Sequence, residues 1–437
     1  MSIARSYQPR DLYLKKLVAF KDSEPVKVIT GIRRCGKSSL LKLMIAHLIE
    51  EGISDEQIVE MNFESYEFRS MDSDALYQYI KSKYHGQRLY LFFDEIQRIH
   101  EWEDAVNAFR VDIDCDIYLT GSNAYLLSSE YSTYLSGRCI EIKMLPLSFK
   151  EFLTFHKFRF QETASSLCNN HSVVYDRFGE LFHIQDVFKL YLQYGGMPGM
   201  IDVGLDQEKA LILLDGIYST VVMRDILERE KRRGLRQLSD AILLRKIILF
   251  LADNIGNTVS MNAIGNTFIH EGLLTKSKSG SPSTHTIQAY VNALTESFIF
   301  YEIKRFDIKG KEYLRTLGKY YIADVGLRNY LLGFRNRDTG HILENVVYFE
   351  LIRRGYDVAV GKIDNLEIDF VAQNAQSKCY IQVTESLLSQ DVRNRELSPL
   401  MKIRDNYPKM ILTMDAGIET DFEGIYAVNL VDWLLNE

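Results

Sequence analysis

The chain is poor in the residues that staple small or secreted folds. Its five cysteines (Cys35, Cys115, Cys139, Cys168 and Cys379) are scattered over 437 residues, and no two form a CxxC pair. That spacing indicates neither a zinc site nor a disulfide framework, so reduced thiols and a cytoplasmic location are the expectation. No apolar run approaches the roughly 20 residues of a membrane-spanning helix. The opening MSIARSYQPRDLYLKK lacks the apolar core of a secretory leader. Neither export nor a membrane partner is therefore expected. Bulk positive charge is lacking too. Acidic residues number 59 and basic ones 52, for a net charge of −7, which excludes a protein that coats nucleic acid by overall charge and leaves room only for a local basic patch. There is no internal repeat and no low-complexity tail. What remains is a soluble globular composition, and at roughly 150 residues per domain the length allows about three domains with substantial cores.

Hydrophobic spacing divides the chain. Leu12, Tyr13, Leu17 and Phe20 recur at helical intervals. Val26–Thr30 reads as a strand that runs into a glycine-bearing turn, and Leu40–Ile49 as the helix after it. Further strands are expected at 57–63, 88–93 and Cys115–Thr120, with a helix at Asp74–Tyr84. Strands alternating with helices predict a parallel sheet covered on both faces, ending near Pro146. From Phe149 to about Arg236 the pattern is helical, broken by a polar stretch at Gln161–His171 and by Gly195–Gly199. Asp240–Phe306 then reads helix, helix, loop, helix, strand, with a linker-like loop at Lys276–Ser283. From Glu344 onward a helix, a strand near Val358, strands at Leu366–Ala372 and Cys379–Thr384, a helix and a strand at Met410–Thr413 form a second α/β unit.

The segment Gly31-Ile-Arg-Arg-Cys-Gly-Lys-Ser38 fills every position of G-x-x-x-x-G-K-[ST] between a strand and a helix. Gly31 and Gly36 let the backbone curl, so that the N–H groups from Gly31 past Arg34 to Ser39 face phosphate oxygens at a helix N-terminus. Lys37 reaches the β- and γ-phosphates, and Ser38 is a Mg²⁺ ligand. A chance glycine-rich turn is the alternative, disfavoured by the complete motif in its context. Leu89-Tyr-Leu-Phe-Phe-Asp94-Glu95 is an apolar strand ending in two carboxylates. Asp94 is placed to hold Mg²⁺ through its water shell, and Glu95 to orient and deprotonate the attacking water. Ile117–Asn123 is a third strand with a small polar end, where Ser122 or Asn123 meets the γ-phosphate or the water, unless the segment is a plain turn. Arg138 closes Leu135-Ser-Gly-Arg138, either as an arginine finger for a neighbouring subunit or as a helix C-terminal arginine.

At these residues the chain resembles a prokaryotic family of AAA-type P-loop ATPases that carry a C-terminal domain of unknown function. The matching pieces are ITGIRRCGKSSLL, LFFDEIQ, LTGSNA, LSGR, YGGMPG, MRDILER, YYIADVGLRN, LEIDFVA and YIQVTESL, in order along nearly the whole chain. The resemblance implies ATP binding at the loop, a sensor role for Asn123 and an arginine-finger role for Arg138. Gly196 and Pro198 look like the lid motif that touches nucleotide in related ATPases, although Gly195–Gly199 also reads as a hinge. Arg224 is a weaker candidate, equally suited to a structural ion pair.

Met261–Phe268, Thr284–Ser297 and the stretch to Asp324 look like a winged helix. Ile287, Val291 and Leu294 are expected inward on the recognition helix, and Thr284, His285, Gln288 and Asn292 outward. Wing strands are expected at Ile303–Ile308 and Tyr313–Leu317. They carry Lys304, Arg305, Lys309, Lys311, Arg315 and Lys319 against Glu302, Asp307 and Glu312. Lys304, Arg305, Lys309 and Lys311 are the DNA-contact candidates, with protein docking as the alternative use of such a module. The last unit resembles the PD-(D/E)xK nuclease-like fold, with Glu344, Asp369 and Gln382 as a vestigial site. Gln382 stands for the second acid and Thr384 for the lysine, so a non-catalytic domain is expected. Together these readings predict an α/β protein: a P-loop NTPase core with a parallel sheet (residues 1–147), a helical lid (148–236), a winged helix (237–325) and a nuclease-like domain (326–437). The function expected is an oligomeric, ATP- and Mg²⁺-dependent ATPase coupled to DNA. The alternatives are a nucleotide switch for a protein partner and an ATP-gated nuclease.

Overall fold

The computed structural model describes residues 7–122, 124, 137–160, 173–221, 226–227, 240–270, 284–314, 318–335, 338–417 and 419–436. Asn123, Arg224, Arg315 and the loop Lys276–Ser283 lie outside the described residues. The chain forms two compact units. One comprises 1–146 with 296–298, the other 147–295 with 299–437.

In the first unit, helix α1 (Asp11–Ala19) precedes β1 (Val26–Thr30), α2 (Lys37–Glu50), β2 (Ile58–Asn62), α3 (Ser73–Lys83), β3 (Leu89–Asp94), α4 (Trp102–Asp112), β4 (Cys115–Gly121) and β5 (Cys139–Lys143). The strands lie in the order β2-β3-β4-β1-β5, all parallel. Parallel pairing demands cover on both faces, and β1 and β3 are accordingly buried at every residue. A core from Val26 and Val28 to Phe109 and Leu119 joins the sheet to α3 and α4. Lys27, wholly buried in β1, pairs with Asp116 and donates to the Ser23 carbonyl at 2.8 Å, while burial lowers its ammonium from the ordinary range against the pull of Asp116; the Tyr118 hydroxyl donates to Asp116 at 2.9 Å. A buried cation is tolerated only with such partners. β5 is absent from the sequence reading. It is an edge strand in which Ile142 alone is fully buried, so it shows no apolar run.

The second unit is mixed. After α5 (Phe149–Phe155), the strands β6 (Arg159–Phe160), β7 (Val173–Tyr175) and β8 (Leu181–His183) form a small sheet. Helices α6 (Ile184–Tyr194), α7 (Met200–Val203), α8 (Gln207–Ser219) and α9 (Ala241–Asp253) follow. Then come β9 (Thr258–Val259), α10 (Met261–His270), α11 (Thr284–Glu296), β10 (Phe300–Ile303), β11 (Arg305–Asp307), β12 (Glu312–Tyr313) and β13 (Gly318–Ile322). On α11, Ile287, Val291 and Leu294 are buried and Thr284, His285, Gln288 and Asn292 exposed, the faces that periodicity predicts. Strands β10, β13 and β9 make a three-stranded antiparallel sheet.

The expected wing takes a different form. β10 ends at Ile303, and β11 leaves it to run parallel to β14 (Asp357–Ile363), while β12 folds back on β11. Phe306 and Ile308 pack against the core of the last sheet, which draws this hairpin out of the wing. Two main-chain bonds seal the junction, Val360 N–H to Lys304 O and Ile308 N–H to Lys362 O, both 2.9 Å. The eight-stranded sheet runs β12-β11-β14-β15-β16-β17-β19-β18. Its other members are β15 (Leu366–Gln373), β16 (Lys378–Thr384), β17 (Lys409–Thr413), β18 (Glu419–Phe422) and β19 (Ile425–Asn429), with α12 (Val325–Leu332), α13 (Thr339–Arg353), α14 (Gln390–Met401) and α15 (Leu430–Leu435) between and after them. Among the described residues no helix is long and apolar enough to cross a membrane.

Candidate functional site

In a parallel sheet, ligands gather where strands end and helices begin. β1 ends at Thr30 and the chain turns at once through Gly31, whose φ is +141°; a Cβ there would stand 2.1 Å from the Met144 carbonyl oxygen. Only glycine fits. Gly36, at φ +107°, caps the N-terminus of α2, and Arg34 also takes a left-handed conformation at φ 64°. The loop thus turns its N–H groups toward the start of a 14-residue helix, the arrangement that favours an anion. Lys37 is buried, and its ammonium donates to the carbonyls of Gly31 at 2.9 Å and Ile32 at 3.3 Å.

The end of β3 supplies the acids, and the end of β4 the hydroxyls that hold them. Asp94, buried at the last position of β3, accepts from Thr120 Oγ1 at 2.5 Å, from Asn62 Nδ2 at 3.0 Å and from the Ser38 hydroxyl. Burial holds its carboxyl above the ordinary range, against those hydrogen bonds. A carboxylate so placed gains by meeting a cation. Ser38 and Asp94 therefore suit Mg²⁺, which would neutralise phosphate charge there. Glu95 is left-handed at φ 56°. Its N–H donates to Thr120 Oγ1 at 3.0 Å, so one hydroxyl aligns both acids. Its Oε2 accepts from Ser122 Oγ at 3.2 Å and Gln97 Nε2 at 2.5 Å. Ser122 thus meets the acid itself. Ser39 lies half-buried in the first turn of α2, and Arg138 is exposed just ahead of β5.

Arg10 escaped the sequence reading. Only 3% exposed, it donates from Nη1 to Cys35 O at 3.1 Å and from Nη2 to Leu145 O at 3.0 Å, and its guanidinium stacks on Tyr13. It braces the loop from behind. Lys37→Ala should fold but bind an ATP analogue about 30-fold more weakly or worse, since removing one partner of a close charge pair costs about 2 kcal/mol or more. Isothermal titration of the variant checks this, and wild-type affinity would remove the lysine from the site.

Pro198 lies half-buried in the second unit, in the turn between α6 and α7. That turn is held by Asp324, which accepts from Gly196 N–H at 2.6 Å and caps α12 through Leu327 N–H at 3.0 Å. Glu344 on α13, Asp369 on β15 and Gln382 on β16 come together in the last sheet: Asp369 N–H donates to Gln382 Oε1 at 3.2 Å, and the charge of Glu344 helps burial hold the Asp369 carboxyl well up. Two residues join them unforeseen. Glu396 accepts from Gln382 Nε2 at 2.9 Å. Lys319, read as a wing charge, is instead buried beside Glu367 (2.7 Å) and Glu344 (3.6 Å). The basic surplus of the wing shrinks accordingly. Lys309 pairs with Asp364 at 2.5 Å and Arg305 faces Glu367 at 3.8 Å, while Lys304 and Lys311 are exposed.

Comparison with known proteins agrees with this geometry. Residues 23–153 match the family described as an AAA domain, and residues 185–338 match a domain of unknown function (DUF8612). An uncharacterized protein of Haemophilus influenzae is 39% identical over 98% of both chains. The uncharacterized protein MJ1544 of Methanocaldococcus jannaschii is 29% identical, covering 90% of this chain and 83% of its own. Among solved structures, the Walker-type ATPase PABY2304 of Pyrococcus abyssi is similar with a TM-score of 0.47 and 17% identity, over 74% of this chain and 95% of that one. The chain belongs to the same family as the Haemophilus influenzae protein, and its N-terminal unit carries an AAA-type P-loop domain.

Proposed function

We propose that this chain binds ATP with Mg²⁺ and hydrolyses it, and that its C-terminal half couples hydrolysis to binding, remodelling or moving along duplex or branched DNA. One observation carries the ATPase reading: Lys37, Ser38, Asp94, Glu95, Thr120 and Ser122 converge at the ends of β1, β3 and β4. In this reading the loop N–H groups and Lys37 hold the phosphates, Ser38 and Asp94 hold the metal, and Glu95 takes a proton from the attacking water at Oε1 or Oε2. ATPase rates with and without duplex, single-stranded and branched DNA test it. Repeating them across protein concentrations tests an oligomer in which Arg138 serves a neighbouring subunit, since activity per subunit then rises with concentration.

The DNA reading is supported by the exposed lysines Lys304, which follows β10, and Lys309 and Lys311, which lie on the β11–β12 hairpin of the eight-stranded sheet. Lys309→Glu with Lys311→Glu should weaken DNA binding about equally across sequences and flatten the log-log salt slope by about 2, one for each phosphate that is no longer neutralised. Hydrolysis without DNA should persist. If no duplex, single strand or four-way junction binds at low salt with ATP, the nucleotide switch for a protein partner takes its place. The ion pairs that occupy Arg305, Lys309 and Lys319 are the observation favouring that second reading. The nuclease-like sheet is proposed as non-catalytic. Gln382 is engaged with Glu396, and Thr384 cannot activate a nucleophile as a lysine would.

A further inference from the structure

The end of β2 reaches the phosphate loop through residues that no motif marks. Glu64 lies two residues beyond β2. One of its carboxylate oxygens receives both Arg33 Nη2 from the loop, at 2.7 Å, and Arg98 Nη2 from the turn after Glu95, at 3.0 Å. Its place is set by the main chain. Glu64 N–H donates to Asn62 Oδ1 at 2.8 Å, and the same amide donates from Nδ2 to Asp94 Oδ2. The acid that gathers the two arginines is thus tied to the metal-side carboxylate. Two guanidinium groups converge on one carboxylate beside a loop shaped for phosphates, and guanidinium is the side chain best matched to phosphate oxygens. The Glu64 side chain is 36% exposed and that of Arg98 35%, so this pair can exchange partners readily, while Arg33 is only 15% exposed and already lies within the loop.

We propose that Glu64 is a built-in competitor for the polyphosphate: it binds Arg33 and Arg98 and yields them to the anionic end of a nucleoside triphosphate. The inference deepens the ATP reading and rests on it. It makes Arg33 and Arg98 binding residues and Glu64 the positioning residue that sets how tightly they bind.

The test is calorimetric titration of the full chain with Mg²⁺ and a non-hydrolysable ATP analogue, and separately with inorganic pyrophosphate. Glu64→Gln keeps the shape and removes the charge. It should tighten both ligands by about fivefold, the scale of one exposed ion pair, and make their affinity fall more steeply with salt. Adding Arg33→Ala or Arg98→Ala to Glu64→Gln should take the gain back. Unchanged or weaker binding by Glu64→Gln, with the wild type still binding, overturns this inference alone. A wild type that binds neither probe overturns the ATP reading along with it. Should Glu64→Gln fail to fold, the single Arg33→Ala and Arg98→Ala variants carry the test: each should weaken pyrophosphate, and unchanged affinity in both overturns the proposal.

Discussion

Glu95→Gln should leave ATP bound and slow its hydrolysis by about 10²–10³-fold, the range of a positioned general base. The amide keeps the side chain's volume and its bonds to Ser122 and Gln97, so the arrangement around Thr120 survives. What disappears is the acceptor for a proton of water. Binding belongs to other groups, the loop and Lys37, so affinity and turnover should separate cleanly. Single-turnover kinetics beside a titration with the analogue measures both. Wild-type turnover in a clean Glu95→Gln preparation would assign the proton to another group.

Asp324→Ala should be the most damaging substitution for stability outside the nucleotide domain. The carboxylate is buried and accepts from the N–H groups of Gly196, Gly326 and Leu327. Alanine strands three donors, at roughly 1 kcal/mol or more each, for a loss of about 3 kcal/mol. The turn packs closely around it: a Cβ on Gly195 would lie 2.3 Å from Asp324 Oδ1, and one on Gly196 2.4 Å from Leu147 O. pH gives a second reading. Burial pushes the Asp324 carboxyl up from 3.8 to about 6, against its hydrogen bonds. The folded chain then binds more protons than the unfolded one between those values, so wild-type stability falls as pH rises from about 4 to about 6. The alanine variant should lose that slope, and its deficit should be larger at pH 4 than at pH 7. Denaturant melts of both proteins at the two pH values check the sign.

The parts of this molecule visible in sequence are those whose chemistry demands residue types at fixed intervals. The phosphate loop needs glycines five positions apart and a lysine after the second. The β3 carboxylates need an apolar strand before them. The faces of α11 follow from its period. What stayed hidden depends on distant partners. Arg10 acts on carbonyls of residues 25 and 135 positions away, and carbonyls carry no side-chain signature. Lys319 reads as a surface charge in a polar alternation until Glu344 and Glu367 are brought to it from another helix and strand. The wing was misplaced because Phe306 and Ile308 look like any strand residues, and only the last sheet offers them a core. Asn123, the sensor implied by resemblance, remains a proposal.

The junction of β11 with β14 also has a consequence for biosynthesis. The ribosome makes β11 roughly fifty residues before the strand that completes it, and at about 5–20 residues per second the nascent chain carries that open ladder for some seconds. An unpaired strand edge invites a neighbour. Here β12 covers one side of β11 as soon as the hairpin closes, and the exposed Lys304, Lys309 and Lys311 flank it, in the position of gatekeepers against premature pairing. Charge that looks recruited for a ligand thus also serves the chain while it is still being made.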